Sequence, residues 1–278
     1  MTVSAEDLDL IREEVRREPI SVREHVLLRL RNDDSGRQVE GWVYWNTADS
    51  SSDPGERWRS GRPLTRFHVP AATTDADAFV RACRDLRLPD PDSSDSSDSD
   101  PVVIEVIPST AELDAHVESW PYGDKRIGSL FPVLVRRPVC PGQSLATHRD
   151  RWQRLWRNSP QPYRIVSCLD EGYQDNDCLF AAVDYEVEPS GVPEVLRRVF
   201  LSGIPIVLWD RSYGKNGGPN AVALYNGLPL HGLPDRIWRE RRRNGNSDRF
   251  GLMWTDPFWH VDDGEDGNNP KLVWRDHD

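Results

Sequence analysis

The sequence predicts an α/β protein: a mostly parallel central sheet with helices on both faces, and N-terminal antiparallel strands added at its edge. Two observations predict it. From residue 102 onward, short apolar runs alternate with segments whose apolar residues fall at helical spacing, the rhythm of strand–helix units. Several of those runs, Ile204 to Trp209 among them, are nearly continuous, as strands covered on both faces are. The expected organisation is a helical extension over residues 1–20 and one α/β domain over 21–278, interrupted by an insertion at 89–100.

In order, AEDLDLIREEVRR (5–17) sets Leu8, Ile11 and Val15 at helical spacing, with acids early and arginines late to suit the helix dipole. HVLLRLR (25–31) and VEGWVYWN (39–46) alternate as strands around the turn signal NDDSG. Residues 48–60 are rich in Ser, Asp and Gly and read as loop. DADAFVRACRDLRL (75–88) reads as helix. PDPDSSDSSDSD (89–100) has no apolar residue with which to join a core, so it reads as a disordered surface insertion.

Beyond it, VVIEVI (102–107) is a strand, and PSTAELDAHVESW opens a helix through the capping box Ser109-x-x-Glu112. FPVLVRR (131–137) is a strand. ATHRDRWQRLWRN (146–158) is a helix with Trp152, Leu155 and Trp156 on one face. YRIVSCL (163–169) and CLFAAV (178–183) are strands, and VPEVLRRVFLSG (192–203) is a helix striped by Val195, Leu196, Val199 and Phe200 and closed by Gly203. IPIVLWD supplies the next strand, LPDRIWRERRRNG (233–245) the next helix and RFGLMWTDP (249–257) the last strand.

Composition narrows the function. The net charge of −11 withholds the basic footprint of a nucleic-acid binder. The N-terminus is too charged for a signal peptide and no apolar run is long enough for a membrane span, so a cytoplasmic protein is expected. Cys83, Cys140, Cys168 and Cys178 are widely spaced and read as reduced.

The chemical motifs fail one after another. In YGKNGGPN (213–220) Lys215 precedes Gly217 and Gly218, no Ser or Thr follows it and Pro219 comes next, so the P-loop pattern is not met. The residues two before the lysines are Gly123, Tyr213 and Asn269, so no acid-x-Lys nuclease motif exists. There is no G-x-S-x-G elbow. Cys168 with His148 lacks any peptidase signature and reads as core. The histidines never pair at ligand spacing, and in HVDDGEDGNN (260–269) Gly264 or Gly267 falls where a calcium loop needs a ligand, leaving a solvated turn. Neither catalytic nor metal nor cofactor-binding residues can be assigned. Arg236, Arg239, Arg241, Arg242 and Arg243 could grip an acidic partner or phosphates, but with Ile237 and Trp238 packed inward and arginine common throughout the chain they read as a solvated helix face.

Strand ends are where α/β proteins bind ligands. Here they carry Arg136, Asp210 with Arg211, and Asp256, and their convergence would make a pocket of mixed charge. The competing reading is turn chemistry where strands meet water.

The ordered series VVIEVIPSTAELDAHVESW, RIGSLFPVLVRR, HRDRWQRLW, GIPIVLWDR, LPDRIWRERR and RFGLMWTDPFW resembles the C-terminal domain of the vWA–MoxR-associated proteins, VMAP-C. Glu105 and Trp120; Gly128, Pro132 and Arg136; Trp152 and Trp156; Gly203, Pro205, Trp209 and Arg211; and Trp254, Asp256 and Pro257 carry it. The resemblance covers residues 100–260 well and 25–90 more loosely, and departs at Thr255 and in the tail after Pro257. It implies a component of a bacterial conflict or signalling system, acting with a MoxR-type AAA+ ATPase and a von Willebrand factor A protein. Only about twenty residues precede the first strand, too few for the effector domain usual in such proteins, so a separate effector polypeptide is expected.

The expected function is thus a non-enzymatic adaptor or regulatory module, with Trp254, Trp259 and Arg211 as partner anchors beside Trp209. The alternative is an enzyme or small-ligand sensor built on Arg136, Asp210, Arg211 and Asp256.

Overall fold

The computed structural model describes residues 22–33, 36–47, 58–70, 72–86, 88, 102–108, 116–136, 150–152, 154, 163–166, 180–183, 196, 199, 204–210, 232–244, 250–255, 259–262 and 271–274. The predicted helix at 5–17, the acidic tract at 89–100 and the glycine loop at 213–220 lie outside them. The chain divides into two compact units, Met1–Ser109 with Phe258–Asp278, and Thr110–Pro257.

In the first unit β1 (Val22–Asp33) and β2 (Gly36–Thr47) form the predicted antiparallel hairpin, with His25 opposite Tyr44 and Arg29 opposite Glu40. Helix α1 (Asp75–Asp85) begins at Thr74, whose hydroxyl oxygen accepts the Asp77 N–H at 3.1 Å. Strand β4 (Val103–Ile107) returns parallel to β1, giving the order β3-β2-β1-β4.

Strand β3 (Trp58–Val69) corrects the loop reading of 48–60 at its last three residues. Its WRSGRPLTRFHV lacks an apolar alternation, and Pro63 would disqualify a central strand. An outer position pairing, among the described residues, with β2 alone, through shifted register at Gly41/Trp42 and Val43/Trp45, tolerates both.

Because side chains alternate along a strand, this sheet has two contrasting faces. Leu30, Val39 and Phe67 are neighbours on one, and Arg81 of α1 lies over the Phe67 ring at 4.8 Å, which places α1 on that apolar face. Ala78, Phe79, Ala82 and Cys83 of α1 are buried. The opposite face carries His25, Leu27 and Arg29 beside Tyr44, Trp42 and Glu40, with Glu105 alongside Leu27, and all of them are buried. The unit also holds the antiparallel pair β12 (Trp259–Asp262) and β13 (Lys271–Trp274), so residues 260–262 are strand where a turn was expected.

The second unit opens with a 3-10 turn at Val117–Ser119, the described part of the helix expected after Ser109. A tight hairpin, β5 (Pro121–Tyr122) and β6 (Lys125–Arg126), follows, turning through Gly123 at φ 65°. The short helix α2 (Ile127–Leu130) leads into β7 (Val133–Val135). Then come β8 (Tyr163–Val166), β9 (Phe180–Val183), β10 (Ile206–Asp210), α3 (Leu233–Asn244) and β11 (Phe250–Trp254). Helical residues 150–152 and Leu196 and Val199 fall where helices were predicted.

The strand order is β7-β11-β10-β9-β8, with β8–β9, β9–β10 and β11–β7 parallel and β10–β11 antiparallel. The α/β class and the mostly parallel sheet are therefore as the sequence predicts.

Candidate functional site

Of the candidate site residues, Arg136 follows β7, Trp209 and Asp210 end β10 and Trp254 ends β11, whereas Trp259 opens β12 in the first unit. Register decides which of them meet. Val135 pairs with Met253, so Arg136 lies beside the Trp254 end of β11. Ile206 pairs with Trp254 and Asp210 with Phe250, because β10 and β11 run in opposite directions. Asp210 therefore closes the far end of the strand pair, about 13 Å of strand away from Trp254. Thr255, one residue before Asp256, donates its N–H to the Pro205 carbonyl at 2.9 Å, at the start of β10 rather than its exit. The strand exits do not share one rim, as a fully parallel sheet would have arranged. The Asp210 and Trp259 side chains, Arg211 and Asp256 lie outside the described residues.

The described candidates are interior. Arg136 is 3% exposed and Trp209 1%. The Trp209 indole covers Gly251, its cross-strand partner, so closely that a Cβ there would come within 2.2 Å of the ring. Trp254 is 8% exposed and packs edge-on against Trp152, with centroids 5.7 Å apart at 85°. Its aromatic surface packs in the core rather than standing exposed at the strand end.

Sequence reasoning missed the polar constellation on the second face of the first unit. Glu105 Oε1 lies 2.7 Å from His25 Nδ1 and also accepts the Tyr44 hydroxyl proton. With a carboxylate as its neighbour, Nδ1 carries the ring proton, fixing the tautomer. The His25 and Tyr44 rings stack at 5.0 Å. Two same-face pairs along, beyond Leu27 and Trp42, Arg29 Nε donates to Glu40 Oε2 at 2.6 Å, and the guanidinium lies 5.7 Å from the Trp42 ring centroid.

A carboxylate-oriented imidazole is the geometry of a general base, but it needs access to substrate. His25 is 7% exposed and Glu105 2%. These groups act as a buried polar brace that ties β2 to β4 across β1. The sequence signal was Glu105 itself, one acid in an otherwise apolar VVIEVI.

Burial holds the Cys83 thiol well above its ordinary pKa, which leaves it protonated and unreactive. No group of His, Cys, Asp or Glu among the described residues could hold a metal ion.

The arginine-rich helix α3 divides as its periodicity requires. Ile237 and Arg241 are each 1% exposed, and Arg241 donates to the Phe250 carbonyl. Trp238 Nε1 donates to the Ser129 carbonyl at 3.3 Å, while Arg236, Arg239, Arg242 and Arg243 are exposed.

Comparison with curated proteins and with solved structures gives no match. Comparison with family models gives one, to VMAP-C, the vWA-MoxR associated protein C-terminal domain, over residues 35–257. That span takes in the described strands from β2 to β11, and with it the chain belongs to the VMAP-C family, whose name ties it to vWA and MoxR proteins.

Proposed function

We propose that this chain is a non-enzymatic adaptor or regulatory module of a bacterial conflict system, working in the cytoplasm with a MoxR-type AAA+ ATPase and a von Willebrand factor A protein. The family match over residues 35–257 is the observation that carries this reading. The separation of Asp210 from the Arg136–Trp254 end supports it, since the rival strand-end pocket needs those residues together. The net charge of −11 argues for protein partners rather than nucleic acid. No helix among the described residues is long and apolar enough to cross a membrane.

In this reading a separate polypeptide supplies the effector activity, and Arg211 and Trp259 are the contact residues, since interfaces favour those types. The test is a pull-down of the tagged full chain from its native host, with and without ATP. Stoichiometric recovery of a MoxR-type ATPase or a von Willebrand factor A protein is expected, reduced by Trp259→Ala. Absence of both under either condition overturns the proposal.

A further inference from the structure

Helix α3 carries a cationic ridge that the packing of the helix does not use. At about 100° per residue, the buried Leu233, Pro234, Ile237 and Arg241 define the inward side. Arg236, Arg239 and Arg243 then fall within about 60° of arc centred roughly 140° from that side, with Arg239 the most nearly opposite, and all three are exposed. Among the described residues none of the three makes a hydrogen bond or an ion pair. The acids of the same helix, Asp235 and Glu240, are only half-exposed and are engaged elsewhere.

This ridge is unfavourable in isolation. Like charges three and four residues apart repel. The helix dipole favours a cation at Arg243, in the last turn, but disfavours one at Arg236, in the first. The chain has 46 acidic against 35 basic residues, so acids to pair with the ridge are abundant in composition.

We infer that the outward face of α3 is a docking surface for an acidic polypeptide helix, whose carboxylates at matching three- and four-residue spacing pair with Arg236, Arg239 and Arg243. Charge complementarity names the occupant. Guanidinium groups take carboxylates in bidentate pairs, and the ridge spans about 10 Å, two turns of a partner helix. A nucleic acid is the poorer fit, because the field of a chain at −11 repels an extended polyanion. The inference goes beyond the adaptor reading and stands whichever proteins are its companions.

The test is fluorescence anisotropy with the full chain at low salt. The probe is a short helix-forming peptide with glutamates at that spacing. Its glutamine counterpart and a length-matched single-stranded oligonucleotide are the controls. The glutamate peptide is expected to bind best, and Arg236→Gln/Arg239→Gln/Arg243→Gln to weaken it about tenfold, the sum of three exposed pairs, with unchanged thermal unfolding. Should that variant unfold, Arg239→Glu takes its place, and a peptide with lysine at the facing position restores its binding. Equal binding by wild type and variant, equal binding of the glutamine peptide, failure of the lysine peptide to restore Arg239→Glu, or tighter binding of the oligonucleotide overturns the inference.

Discussion

Replacing Glu105 with alanine should destabilise the first unit more than any other single polar substitution there. The side chain is 2% exposed and one oxygen serves two donors, His25 Nδ1 and the Tyr44 hydroxyl, which come from different strands. Removing it strands two buried donors, each costing about 1–3 kcal/mol. The central expectation is a loss of about 4 kcal/mol, or roughly 8–16 °C in melting temperature at 2–4 °C per kcal/mol. Glu105→Gln keeps an acceptor oxygen and loses only the charge-assisted part of each bond, so it should cost about half as much. Urea titrations followed by tryptophan fluorescence and circular dichroism give the values. A double-mutant cycle with Tyr44→Phe should return a coupling of about 1–2 kcal/mol, because that substitution removes the hydroxyl donor that loss of Glu105 would otherwise strand. A loss below about 1 kcal/mol for Glu105→Ala, or an additive cycle, would refute the brace.

Gly251→Ala drives a Cβ to 2.2 Å from the Trp209 ring and should cost about 3 kcal/mol; Trp209→Leu in the same chain should recover part of it in a thermal melt. Two arginines two residues apart on α3 should behave oppositely. Arg241→Ala, which strips a buried donor from the Phe250 carbonyl, should cost about 3 kcal/mol, and Arg239→Ala less than about 0.5. The raised Cys83 pKa means that the unfolded chain releases this proton first, so native stability falls as pH rises above the ordinary value of 9.0. Cys83→Ala should flatten the alkaline limb by up to about 1.4 kcal/mol per pH unit in chemical denaturation; parallel curves for variant and wild type would contradict it.

Much of the architecture was legible because its signals are local. The β1–β2 hairpin announced itself by alternation around a turn, and α1, α3, β10 and β11 by periodicity and continuous apolar runs. Strand β3 was not legible, since its pairing depends on an outer position that excuses a proline and charged residues. Nor was the polar face of the first unit. His25 and Arg29 in HVLLRLR and Glu40 in VEGWVYWN sit where an amphipathic strand shows its solvent side. Only their cross-strand partners, up to 80 residues apart in sequence, make it a buried face.

The relation of the strand ends was not legible for a different reason, and the reason bears on function. Apolar runs reveal that a segment is a strand but carry no record of its direction, so the polar ends of β7, β10 and β11 looked like one rim. A single antiparallel pairing, Ile206 with Trp254 and Asp210 with Phe250, splits that rim in two. Several residues of the family motifs make contacts inside the molecule. Trp152 packs on Trp254, Trp209 on Gly251, and a Cβ at Gly128 would lie 2.6 Å from that of Glu118. Glu105 holds His25 and Tyr44. Each of these is a packing or bracing contact. The described motif residues fix the scaffold. A surface that reads a partner must then be sought among side chains the scaffold leaves outward, and the ridge of α3 is one such set.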